Sequence, residues 1–145
     1  MHAYPIRALA VLAALGLLCL SAPALAHHRP GPCDLHRGAD ETVRSHSRRL
    51  VRCAAERWEV PGGVETALCI AQAESGLNPE TASEGGDFLG LYQHSAEAWP
   101  ERFEAWTRDV WELDESALSG RTNAIVTIRM VNANGWGPWE GVEGC

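Results

Sequence analysis

Ala71-Gln72-Ala73-Glu74-Ser75-Gly76-Leu77-Asn78-Pro79 reads as the end of a helix that stops on a carboxylate. Upstream of it, Val64, Ala67, Leu68, Ala71 and Glu74 recur at spacings of three and four, which places Glu74 on the apolar stripe instead of the wet face. Gly76 suits a left-handed C-cap and Asn78-Pro79 blocks continuation, so Glu74 falls in the last turn, near the negative end of the helix. Partial burial and that negative end both disfavour the ionised form, so the sequence predicts a raised pKa. A carboxyl that holds its proton near neutrality can act as a general acid. The plain alternative is a structural glutamate bonded to a backbone amide or an arginine.

Working outward, Val43, Ser47, Leu50, Val51, Ala54 and Trp58 form a helical stripe within residues 41–58. Arg44, Arg48, Arg49, Arg52 and Arg57 lie mostly off that stripe, as the solvated face of an amphipathic helix. Val60-Pro61-Gly62-Gly63 breaks the pattern and joins this helix to the one ending at Glu74, as in a helical hairpin. Residues 80–87 form a polar loop or small hairpin, and Phe88-Leu89-Gly90-Leu91-Tyr92-Gln93-His94 follows, its glycine permitting a close backbone approach. Trp99, Phe103 and Trp106 fall near helical spacing, with Pro100 suited to a first turn. In residues 122–132 the positions Ala124, Ile125, Ile128 and Val131 fit a helix face, while the β-branched content leaves a strand open. The tail Asn134-Gly135-Trp136-Gly137-Pro138-Trp139 is irregular. The class is therefore α-rich, α+β at most.

The chain has 145 residues and a net charge of -7. Residues 1–26 read as a secretory signal: Arg7 is the positive flank, residues 8–20 the apolar core and Ala24-Leu25-Ala26 the cleavage site. Its apolar core is short for a membrane span, and Leu18 before Cys19 does not suit lipoprotein processing. The expectation is a secreted protein without a stable membrane anchor. Residues 27–40 form an N-terminal arm and 41–145 a single domain, expected to be a monomer. Losing Arg7 takes the charge from -7 to -8, which argues against nucleic acid as a partner. His27 and His28 read as a solvated exposed pair. After the signal, Cys33, Cys53, Cys69 and Cys145 remain, an even count suited to two disulfides in an exported domain. Three pairings are possible. Facing positions on the helical hairpin favour Cys53 with Cys69, which leaves Cys33 with Cys145. No pair has CxxC spacing, so no metal site and no cofactor are expected.

Glu74-Ser75-Gly76-Leu77-Asn78-Pro79, then Gly90-Leu91-Tyr92-Gln93, then residues 132–139 together resemble the lysozyme-like domain of the soluble lytic transglycosylases. The resemblance runs from about Val43 onward. It implies a lysozyme-like fold, peptidoglycan strands as substrate, and cleavage between N-acetylmuramic acid and N-acetylglucosamine with Glu74 as sole catalytic acid and then base. It matches Ser75 and Gln93 to supporting and substrate-contacting positions. Tyr92 stands where the family commonly has methionine. The family's tyrosine before the downstream Asn is replaced by Val131 ahead of Asn132, and Trp136 or Trp139 offers a stacking face for a sugar ring instead, with a core plug as the alternative. His94 is a further residue expected to line the cleft.

One protonated carboxyl suffices for this chemistry when the substrate's 2-acetamido group stabilises the oxocarbenium-like centre. Asp87 is the candidate for a second carboxylate; holding a water across the cleft, it would make the protein an inverting muramidase. Its plain reading is a turn-capping aspartate after Gly85-Gly86. A wall-glycan binding module without turnover is the rival from another class.

Overall fold

The β-branched run that leaves residues 122–132 open between helix and strand is helical, and two of the other helices pack directly against it. In a computed structural model, which describes residues 30–110 and 112–145, the elements are α1 (Val43–Arg57), α2 (Gly63–Ser75), β1 (Phe88–Leu89), β2 (His94–Ser95), α3 (Trp99–Thr107), α4 (Gly120–Asn134) and a 3₁₀ turn (Gly137–Trp139). The expected signal segment, His27 and His28 lie outside the described residues. Among those residues, no helix is long and apolar enough to cross a membrane.

Every residue of 122–128 is buried, as are Met130 and Val131. A helix covered on all sides is a core element, and packing there overrides the modest helix propensity of Ile, Val and Thr. Ser119 starts it by accepting the Thr122 N–H at 3.4 Å. α1 packs on both α2 and α4, and α3 packs on α4. Val51, Ala54, Ala67, Ile70, Leu77, Leu91, Ile125 and Ile128 meet in the main apolar cluster. The α1–α2 hairpin is as the periodicity predicts, with Thr42 capping α1 through the Ser45 N–H at 3.1 Å.

α2 ends as expected. Gly76 is left-handed (φ 62°), its N–H reaches Gln72 O at 2.9 Å, and the Leu77 N–H reaches Ala71 O at 3.3 Å. Among the described residues the strands are one hairpin, Phe88 opposite Ser95 and Leu89 opposite His94, with Ala82 bridged to Leu89 on its other side.

The disulfides differ from the favoured pairing. Cys33 joins Cys53, and Cys69 joins Cys145, with Cα separations of 5.8 and 5.6 Å. The reason lies in the helix seam: the small Ala54, Ala55, Ala67 and Ala71 are the buried residues there, while Cys53 and Cys69 sit one position or more around each helix, only partly buried. Cys53 therefore meets the N-terminal arm and Cys69 the C-terminus. Arg121 holds the same arm, its Nε donating to Pro32 O at 3.0 Å and its guanidinium lying 3.7 Å from Asp34.

The two bridges close segments of different length, 20 and 76 residues. Loop-closure entropy assigns about 3 kcal/mol to the first and about 4.5 kcal/mol to the second. Denaturant titration of the Cys33→Ser/Cys53→Ser and Cys69→Ser/Cys145→Ser proteins is expected to show the larger loss in the latter.

Candidate active site

The C-terminal turn of α2, the β1–β2 hairpin and the 3₁₀ turn enclose an open groove of two adjoining hollows. The first, about 300 Å³, is lined by Glu74, Phe88, Gln93, Pro138 and Trp139. The second, about 100 Å³, shares the last four of these and adds Ser95 and Arg102. Glu74 and Arg102 are the charged side chains lining them. A larger hollow of about 400 Å³ opens elsewhere, over Trp99, Phe103 and Thr107, and includes none of the expected site residues.

Glu74 is half-buried, and its carboxylate has no hydrogen-bond or ion-pair partner among the described residues. Its pKa is raised, and desolvation by burial is the cause. Beside Glu74, Gly76, Leu77 and Ser75 donate to the carbonyls of Ala71 and Gln72 at the end of the helix. The arrangement thus favours the protonated acid while leaving its oxygens open to the groove.

Gln93 lines both hollows from a left-handed backbone position (φ 47°). Its Nε2 donates to Thr81 O at 3.1 Å and to Gly90 O at 2.9 Å. Both amide hydrogens are spent on backbone, which leaves Oε1 as the acceptor for a ligand. Phe88, 49% exposed, is an aromatic face in the groove wall that the sequence reading did not single out as a site residue.

Four residues singled out in the sequence as candidate site residues, Ser75, Tyr92, Trp136 and His94, have their polar atoms committed to the fold. Ser75 Oγ lies 2.8 Å from Leu91 O and 3.1 Å from Ala71 O, with one proton to give to them, so it ties α2 to the hairpin turn. Tyr92 is fully buried, its hydroxyl donating to Ala67 O at 2.9 Å. Trp136 is absent from the groove lining; its indole N–H donates to Pro61 O at 2.8 Å and its ring stacks on Tyr92. His94 is fully buried and points into the core. Trp139 does both jobs, since it is only 6% exposed, donates to Tyr92 O at 2.9 Å and still lines both hollows. Asp87 is exposed and does not line the groove. Glu74 is therefore the only carboxylate in the lining among the described residues.

His94 belongs to a directed chain of hydrogen bonds. A guanidinium only donates, so Arg102 Nη1, 2.8 Å away, makes Nδ1 the acceptor. Nε2–H then donates to Thr127 Oγ1 at 2.7 Å, and that hydroxyl donates to Asn123 O at 2.7 Å. Burial, and secondarily the charge on Arg102, push the imidazole down to about 3.

Asn123, unremarked in the sequence, fixes the groove floor. Its Oδ1 accepts the Tyr92 N–H at 3.1 Å, and its Nδ2 donates to Ala117 O at 2.8 Å and Leu89 O at 3.4 Å. Gly90 (φ 81°) passes so close that a Cβ there would lie 2.2 Å from both Ala117 O and Asn123 Nδ2. The one trace of this in the sequence is polar Asn123 and Thr127, four residues apart and flanking the apolar run Ala124-Ile125-Val126.

No family model, no curated protein and no solved structure matches this chain.

Two outcomes follow from this geometry. Asn123→Ala strands a buried N–H and two carbonyls, and equilibrium unfolding is expected to show a loss of about 3 kcal/mol or more. The second concerns acid. His94 binds a proton in the unfolded chain below its ordinary value of 6.5 but not in the folded protein until about 3, so its contribution is complete above 6.5 and lost as pH falls through that window. Stability measured between these pH values is expected to drop with a His94 contribution of about 1.4 kcal/mol per pH unit, absent from His94→Gln.

Proposed function

We propose that this chain is a peptidoglycan lytic transglycosylase of lysozyme-like fold, working on the cell wall after export. One observation carries the reading: a half-buried, unpaired glutamate with a raised pKa lines an open groove beside an exposed aromatic and a free amide oxygen. Two disulfides fit an exported protein.

In this reading Glu74 gives its proton to the glycosidic oxygen as the bond from the muramic C1 to that oxygen breaks. The acetamido oxygen of the same sugar supports the electron-poor C1. Glu74, now ionised, takes the proton of the 6-hydroxyl, whose oxygen closes onto C1 to give a 1,6-anhydro end. No water is consumed, and the enzyme returns to its protonated state. Gln93 Oε1 accepts from a sugar hydroxyl or amide, and Phe88 offers its face to a pyranose ring. The missing family tyrosine leaves the acetamido group to be oriented by these and by Trp139.

The inverting muramidase needs a second carboxylate across about 6.5–9.5 Å to hold its water. Asp87 is exposed outside the groove lining, which weakens that reading.

Mass spectrometry of soluble fragments released from purified peptidoglycan tests the proposal. Anhydro-ended fragments are expected from the wild type, with release lowered about 10²–10⁴-fold in Glu74→Gln, the usual worth of a positioned acid-base group. Activity is expected to fall as pH rises through the raised pKa of Glu74, because the acid must start protonated. Reducing ends would point to hydrolysis, and tight wall binding by folded protein without any release would point to a binding module.

A further inference from the structure

Arg102 stands at the far end of the groove from Glu74, and its position calls for a ligand. Within ion-pair distance it has no carboxylate among the described residues, whereas Arg49, Arg121 and Arg129 each have one. One of its five N–H donors goes to His94. That bond anchors the guanidinium against the buried chain through Thr127 and Asn123, so the side chain is held in place before any ligand arrives. It lines the second hollow with Gln93 and Trp139, and it also lines a further hollow of about 280 Å³ with Ala98, Glu101, Ala105 and Trp106, Glu101 lying outside ion-pair distance of the guanidinium. A cation half-buried, unpaired and preorganised, with room beside it, matches a carboxylate carried on a larger molecule.

Building on the transglycosylase reading, we propose that Arg102 is a substrate-binding residue that takes a carboxylate of the wall strand, in a subsite beyond the sugars held at Glu74. Two groups on such a strand supply that chemistry: the carboxylates of a peptide stem, and the lactyl carboxylate exposed on a muramic residue whose stem has been removed. The hollow beside the guanidinium, lined by Ala98, Ala105 and Trp106 with Glu101 at its edge, has room for the rest of a stem, and Glu101 disfavours a second carboxylate there.

Three substrates separate the possibilities: stem-bearing strands, strands stripped of stems by an amidase, and N-acetylglucosamine oligomers, which have no carboxylate. Arg102→Gln keeps an N–H donor for His94 and removes the charge; Arg102→Lys keeps the charge and loses the fork. Binding is measured in the Glu74→Gln background, so that affinity is read without turnover, and turnover is measured separately in the active protein. Arg102→Gln is expected to weaken binding of a carboxylate-bearing strand about 10- to 100-fold, as for a charge-assisted bidentate contact, with Arg102→Lys recovering part of it. Affinity for the neutral oligomers is expected to stay unchanged. Loss confined to stem-bearing strands assigns the stem, and loss on stripped strands assigns the lactyl group. Equal loss on all three substrates, no loss on any, or no strand binding by the parent protein overturns the inference. If carboxylate-dependent binding persists but no strand is ever cleaved, the transglycosylase reading fails and the subsite stands.

Discussion

The side-chain amide of Asn123 is the constraint on which the groove depends. It is a fully buried polar group in the central helix, and its three bonds, to Leu89 and Tyr92 in the hairpin and to Ala117 in the segment before α4, stitch two separate segments to α4. An unmade bond there would strand a desolvated donor or acceptor, so the amide specifies one position for the hairpin turn. That position is so close that residue 90 must be glycine. Everything beyond the turn inherits it: Leu91 O meets Ser75, Gln93 adopts its left-handed conformation with its amide turned onto Gly90 and Thr81, and His94 enters the core.

The same burial has opposite effects on the charge of two groups and one effect on their chemistry. Desolvation raises Glu74 and lowers His94, so each is biased to its neutral form. For His94 the neutral form is what permits Arg102 to donate to Nδ1; an imidazolium would bring a proton against a guanidinium. For Glu74 the neutral form is the proton donor. The difference lies in partners: His94 has both nitrogens occupied and cannot exchange protons with a substrate, whereas Glu74 is unpaired and faces the groove.

Local signals were legible where the physics is local. Helical period, the Thr42 cap, the Val60-Pro61-Gly62-Gly63 break and the Gly76 terminus concern neighbours within a few positions, and α1, α2 and the fate of Glu74 follow from them. The family resemblance also pointed to Gln93, which lines both hollows of the groove. What escaped were relations set by packing. Tyr92, His94 and Trp136 look like ligand-binding residues by type, but each has its polar atom committed to distant backbone or side chain, which no spacing reveals. The disulfide pairing depended on which way Cys53 and Cys69 face across an alanine seam, a matter of about 100° of helix rotation per residue. Arg102, Phe88 and Asn123 carry no motif; they matter because of what the fold sets beside them.

An acidic protein acting, as proposed, on an anionic polymer is poorly matched to it only until distance is considered. At physiological ionic strength the field of an exposed charge fades over about 8 Å. The surplus negative charge includes exposed residues such as Glu84, Asp87, Glu97 and Glu101, each screened by water and salt. A carboxylate seated against Arg102 instead meets a half-buried cation at hydrogen-bond distance, where screening is weakest. Net charge therefore bears on encounter, while the groove's own asymmetry bears on register. With an acid that must be neutral at one end and a cation without a counter-ion at the other, a strand carrying its carboxylates to one side is favoured in a single direction. In the proposed reaction a fixed direction is what Glu74 needs, since of the two sugars joined at a glycosidic bond only the one contributing C1 has a 6-hydroxyl that can close onto the broken position.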